Sequence, residues 1–74
     1  MKLTPAQVNV LRCVAEGYDE RHIAHLLTKS HRTVHNQITQ ALAALNVRTR
    51  AAAVMVAIRE GLIQIDTLSP LPRA

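Results

Sequence analysis

The sequence predicts a small all-α domain of four helices, and three observations predict it. Apolar residues recur at helical spacing in four successive stretches. A side chain able to cap a helix opens each stretch: Thr4, Asp19, Ser30 and Thr49. Proline and glycine occur only at the edges of these stretches, where they start or stop helices. With 74 residues the chain is long enough for one domain. A domain of this size buries a modest share of its surface, so dimerisation or ligand binding would add usefully to its stability.

Thr4-Pro5 reads as N-cap and first helical residue, and Gln7 has capping-box spacing from Thr4. Val8, Leu11, Val14 and Ala15 then line one face, and Gly17 supplies a left-handed stop. The first helix is expected over about residues 5–16. Asp19 caps a short second helix, with Glu20 in its first turn, where the helix dipole favours an acid. Ile23, Ala24, Leu26 and Leu27 form its expected apolar face, and it ends near Leu27 or Thr28. Ser30 is the next N-cap, so two or three residues separate this helix from the third. A tight corner between two helices is the geometry of a helix-turn-helix.

The third helix, from about Ser30 to Leu45, is strongly two-sided. Val34, Ile38, Ala41, Leu42 and Leu45 share one sector; Arg32, His35, Asn36, Thr39 and Gln40 lie opposite, around Ala43. The fourth helix, about residues 50–60, is capped by Thr49 and closed by Gly61. Ala53, Val54 and Ala57 form one apolar face, and Ala51, Met55 and Ile58 a second, roughly opposite. A helix apolar on both sides needs two partners: the core, and a second subunit or another domain. Leu62, Ile63 and Ile65 extend that apolar surface. The domain is expected over residues 1–65, with 66–74 an extended tail containing Ser69-Pro70-Leu71-Pro72.

Charge placement points to a polyanion. The net charge is +4, and the isoelectric point about 10.3. No Asp or Glu occurs from Arg21 through Arg59, a span holding Lys29, Arg32, Arg48, Arg50 and all four histidines. The polar face of the third helix carries Arg, His, Asn, Thr and Gln, groups that read base edges in a major groove. Tyr18 is the only aromatic residue, so the chain lacks the stacking platforms used on single strands.

Other classes of function fare worse. The lone Cys13 excludes an internal disulfide and reads as a small buried hydrophobe. His22 and His25 are three apart, and His31 and His35 four apart, spacings that can place two imidazoles on one face. With no neighbouring cysteine or intervening acid, no metal site is expected. Ser30, His31 and Thr33 are neighbours on one helix and cannot form a nucleophile–base–orienter set, and Ser30 is explained as a cap. No catalytic residues and no cofactor are expected. No signal peptide or membrane-length apolar run is visible, so a cytoplasmic protein without membrane contact is expected.

The residues Leu3-Thr4-Pro5, Val10-Leu11, Ala15-Glu16-Gly17, Ile23-Ala24, Leu27, Ser30, Thr33-Val34, Asn36, Ile38, Leu42, Leu45, Val47-Arg48, Arg50, Ala53-Val54 and Gly61-Leu62 resemble, in joint order and spacing, the LuxR/GerE-type (FixJ/NarL-type) helix-turn-helix domain. The resemblance runs from Leu3 to Ile63. It implies a four-helix member of the winged-helix-like superfamily without a wing. It also implies a regulator that binds inverted-repeat promoter sites in duplex DNA as a homodimer, with a contact to RNA polymerase among its partners. By the same resemblance His35, Asn36 and Thr39 would touch bases. Lys29, His31, Arg32, Thr33, Gln37, Arg48 and Arg50 would touch phosphates, and Ala51, Met55, Ile58 and Leu62 would form the dimer seam.

Departures from the family pattern are informative. Gln7, Asn9 and His22 stand where acids are common, so partners for nearby polar groups must be rebuilt, with Gln7 capping one way to do it. Lys29 replaces an aliphatic residue, Ala44 a lysine, His35 a basic residue, and Asn46 a glycine whose left-handed conformation asparagine tolerates. Relatives often carry a preceding receiver or ligand-binding domain. The chain is expected to be either a stand-alone regulator or the C-terminal domain of a longer one, and Met1-Lys2 directly before the first helix favours the former. The rival reading is a stand-alone interaction module that pairs with a larger relative through the fourth helix.

Overall fold

A computed structural model of the protein describes residues 3–64. Ile65 and the expected tail at 66–74 lie outside the described residues. Four helices follow one another: α1 (Pro5–Ala15), α2 (Glu20–Leu27), α3 (His31–Leu45) and α4 (Arg50–Arg59). Among the described residues there is no strand.

Every helix begins as its cap residue dictates. Thr4 accepts from the Gln7 amide while the Gln7 side chain accepts from the Thr4 amide, both at 3.1 Å, so two orphan donors are satisfied reciprocally. Asp19, Ser30 and Thr49 accept from the amides of His22, Thr33 and Ala52. The ends fall one residue short of the sequence expectation at α1 and α4, because Glu16 and Glu60 are the half-in caps. At α1, Gly17 adopts φ +97°, and the amides of Gly17 and Tyr18 close back onto the carbonyls of Val14 and Cys13.

The core forms two clusters with α1 between them. On one side Leu11 meets Ala41, Leu45, Ala53, Ala57 and Ile63, which ties α1 to α3 and α4. On the other, Val10 meets Ile23, Ala24, Val34 and Ile38, which ties α1 to α2 and α3. Leu42 packs against both. Val10 escaped the single-face pattern read for α1 because the helix buries two faces. Two apolar residues depart from expectation in opposite directions. Leu26 is 47 % exposed, since Ile23, Ala24 and Leu27 alone share the inward sector of α2. Ile63 is buried in the core, brought inward by the turn after α4, where the Leu62 amide bonds to the Ala57 carbonyl.

The corner between α2 and α3 is built from residues 28–30. Thr28 is left-handed (φ 57°, ψ 48°), and the Lys29 amide reaches back to the Ala24 carbonyl at 2.9 Å. Asn46 does the same service after α3 (φ 59°), as expected. Asparagine tolerates this conformation, but a β-branched threonine is crowded there. Thr28 is exposed, so little else holds it. Replacing Thr28 with glycine is expected to raise the unfolding free energy by about 1 kcal/mol, the left-handed cost less glycine's added chain entropy. Urea denaturation of the two proteins side by side checks this; a less stable variant would show that the corner carries no such strain.

Candidate nucleic-acid interface

The inward sector of α3 fixes what its outward sector presents. Val34, Ile38, Ala41 and Leu45 are buried, so Arg32, His35, Asn36, Thr39, Gln40 and Ala43 face out, all exposed. Among the three expected base readers, Asn36 makes no side-chain hydrogen bond among the described residues, which leaves an amide with donor and acceptor free. Thr39 donates its hydroxyl proton to the His35 carbonyl at 3.0 Å, so it offers outward a methyl group and acceptor lone pairs. His35 is occupied at one ring nitrogen, as described below.

The expected phosphate contacts divide into three kinds. Lys29, Arg32 and Arg48 are exposed and make no ion pair among the described residues. Thr33 and Gln37 are half-buried and less available. The Thr33 hydroxyl accepts from Ser30 at 2.9 Å, and the Gln37 Oε1 is turned inward without a partner. His31 and Arg50 are already engaged with an acid. Gln40, on the rim of the face, accepts from Gln7 at 3.2 Å, which links α1 to α3.

That acid corrects the expectation of a surface free of carboxylate. Glu20 lies one residue before the acid-free span, yet its side chain folds onto the start of α3. His31 donates from Nε2 to Oε1 at 2.9 Å, and His35 Nδ1 lies 3.2 and 3.3 Å from the two oxygens. The Arg50 guanidinium also donates to Oε2. Glu20, His31 and Arg50 are the first residues of α2, α3 and α4, so three helix starts meet at one carboxylate. Helix starts carry positive partial charge, which suits an anion there. The Glu20 side chain is only 14 % exposed, and burial alone would raise its carboxyl pKa. Hydrogen bonds from His35 and His31, with the Arg50 charge, outweigh burial and hold the pKa below the ordinary value. No local pattern announced this role. Glu20 is 11, 15 and 30 residues from its partners, and α2 and α4 share no close backbone approach.

The histidine pairs separate in the same way. His31 and His35 come to one face, as their spacing allowed, but Arg50 shares their carboxylate. Among the described residues no three His, Cys, Asp or Glu side chains are arranged to hold a metal ion. His22 instead packs edge-on against Tyr18, with ring centres 4.7 Å apart. Cys13 is half-buried against the second core cluster, and burial, then the nearby Glu16, raises its thiol pKa. No single helix among the described residues is long and apolar enough to cross a membrane.

On α4, Ala53 and Ala57 are fully buried, while Ala51 is exposed, Met55 is 64 % exposed and Ile58 36 %. Three of the four expected seam residues therefore lie on an uncovered apolar strip. Leu62 is the exception, half-buried against the core.

The polar-faced α3, the longest of the four helices, is thus set against α2 by a three-residue corner. The family model described as "Bacterial regulatory proteins, luxR family" matches residues 1–57. The chain belongs to that family. Its all-α architecture of four helices agrees with the resemblance read from the sequence. This LuxR-family chain is 35 % identical over 65 residues to "Transcriptional regulatory protein YdfI" of Bacillus subtilis (strain 168), an alignment covering 88 % of the chain and 30 % of the relative. It is 33 % identical over 63 residues to "Transcriptional regulatory protein DegU" of Brevibacillus brevis, covering 85 % of the chain and 27 % of that relative. The chain thus spans about three tenths of the length of these regulators.

The depressed carboxyl pKa of Glu20 makes a signed prediction. A carboxyl ionised more readily when folded stabilises the fold above its ordinary titration range, and that contribution is lost as pH falls through the depressed value. Wild type is expected to be more stable than Glu20→Gln at about pH 6, and that advantage is expected to shrink as pH falls below the ordinary carboxylate range. Denaturation midpoints over a falling pH series check it; wild type no more stable than Glu20→Gln at about pH 6 would show that the ion pairs contribute nothing to the fold.

Proposed function

We propose that this chain binds duplex DNA for a transcription regulator, with α3 lying in the major groove and phosphates held at its flanks. The observation that carries the reading is the outward face of α3. Arg32, His35, Asn36, Thr39 and Gln40 are exposed together, with no acid of that helix's own. Membership of the LuxR family and likeness to two transcriptional regulatory proteins support the same reading.

In this arrangement Asn36 pairs with a base edge by both amide atoms, adenine being the base with the matching donor and acceptor. Thr39 offers a methyl for thymine or an acceptor for an amino group. Lys29, Arg32 and Arg48 take backbone phosphates. His31 and Arg50 contribute once a phosphate competes with Glu20 for them, and Thr33 and Gln37 contribute least. Two copies meet through Ala51, Met55 and Ile58 on α4, with Leu62 at the margin, and read an inverted repeat. The uncovered apolar strip on α4 supports that pairing. The same strip would serve the alternative, an interaction module that pairs with a larger relative.

Mobility-shift titration on duplex DNA over a salt series separates the two. DNA binding predicts affinity falling steeply with salt as phosphates are neutralised. A pure interaction module forms no complex with duplex even at low salt. Asn36→Ala is expected to cost about 1–3 kcal/mol in DNA affinity and to relax preference at one base pair. Equal weakening on all sequences would refute a base contact. Arg48→Ala is expected to flatten the salt slope by about one unit and leave sequence preference alone. Met55→Asp should yield folded monomers in sedimentation, and a dimer of undiminished mass would move the seam elsewhere.

A further inference from the structure

We propose that Glu20 is a specificity-determining residue, which sets the base preference of α3 by fixing the tautomer of His35. The inference rests on the reading of α3 as a groove-reading helix. Its own content is chemical. An ionised carboxylate has no proton to give, so a hydrogen bond between Glu20 and His35 Nδ1 requires the proton to sit on Nδ1. In the neutral ring the other nitrogen, Nε2, is then a bare acceptor. That nitrogen makes no hydrogen bond among the described residues, and the His35 side chain is 61 % exposed. It shares an open groove with Asn36 and Arg32, on the face that would meet DNA.

An acceptor at this place fits the amino group of adenine or cytosine, N6 or N4. When the ring takes a second proton from solvent, Nε2 becomes a donor. It then fits N7 or O6 of guanine. One side chain therefore carries two base preferences, and Glu20 decides that the neutral form is the accepting one. Without the carboxylate the neutral ring is free to put its proton on Nε2, and the two protonation states no longer present opposite groups to the base.

The charged and titratable neighbours come from three helices. Asp19 and Arg21 flank Glu20 around the start of α2, His31 and Arg32 stand beside His35 on α3, and Arg50 reaches in from α4. Among these His31 bonds the same carboxylate through Nε2, the opposite nitrogen from His35. Glu20 holds its charge across the range in which imidazoles titrate, because its carboxyl sits below the ordinary value.

Two measurements test this together. Proton–nitrogen correlation spectra of the free protein, above the imidazole range, are expected to show His35 as the Nδ1–H tautomer in wild type. In Glu20→Ala the same ring is expected to shift toward Nε2–H. Sequence selection from a randomised duplex library at about pH 8 and about pH 6 is then expected to show one base pair changing from adenine or cytosine to guanine. The preference at that position should change by about tenfold for wild type, the scale of one charge-assisted hydrogen bond. Glu20→Ala should lose the dependence on pH, and His35→Ala should lose the preference at that position altogether. An Nε2–H tautomer in wild type overturns the proposal, as does a pH-dependent preference that survives Glu20→Ala. Failure of wild type to select any sequence, with the expected tautomer present, overturns the DNA-reading role of α3 and this inference with it.

Discussion

Burial of one sector of α3 is the constraint on which the rest of the molecule depends. Val34 and Ile38 close against Val10 and Ile23, and Ala41 and Leu45 close against Leu11, Ala53 and Ala57. With both clusters filled, α3 has no rotational freedom about its axis, because any turn would drag a polar side chain inward at a cost of several kcal/mol. The outward direction of that face is thus set by the core, with Glu20–His35 and Gln7–Gln40 as its side-chain ties to the other helices. Leu42 packs against both clusters and so joins them.

Much of this was legible in the sequence, and the reasons are physical. Cap residues act on amides two or three positions away, so Thr4, Asp19, Ser30 and Thr49 could be read directly. The two-sided pattern of α3 survives folding because that helix buries a single sector. Reading failed where a helix serves two neighbours or where tertiary packing chooses between faces. Val10 was hidden because α1 is inserted between two clusters, and Leu26 was misplaced because its short helix offers few turns from which to fix a face. At Thr28 propensity argued against a left-handed residue, and the corner needed one regardless.

Charge was the least legible property. The acid-free span from Arg21 to Arg59 is real as a sequence feature, but a surface is assembled from separate segments. Glu20, one residue outside that span, ends up bonded to His31, His35 and Arg50. The start of α3 is therefore partly neutralised in the free protein, and a phosphate arriving there must compete with a carboxylate already in place. On the proposed reading, Lys29, Arg32 and Arg48 are left for the DNA backbone.

The central claim is that the outward face of α3 is the surface that meets DNA. Amide chemical shifts followed during titration with an arbitrary short duplex at low salt test it most directly. The largest changes are predicted at Arg32, His35, Asn36 and Thr39, fading as salt is added. Changes centred elsewhere, such as around Arg12 and Gly61, or no changes at any salt concentration, would contradict it.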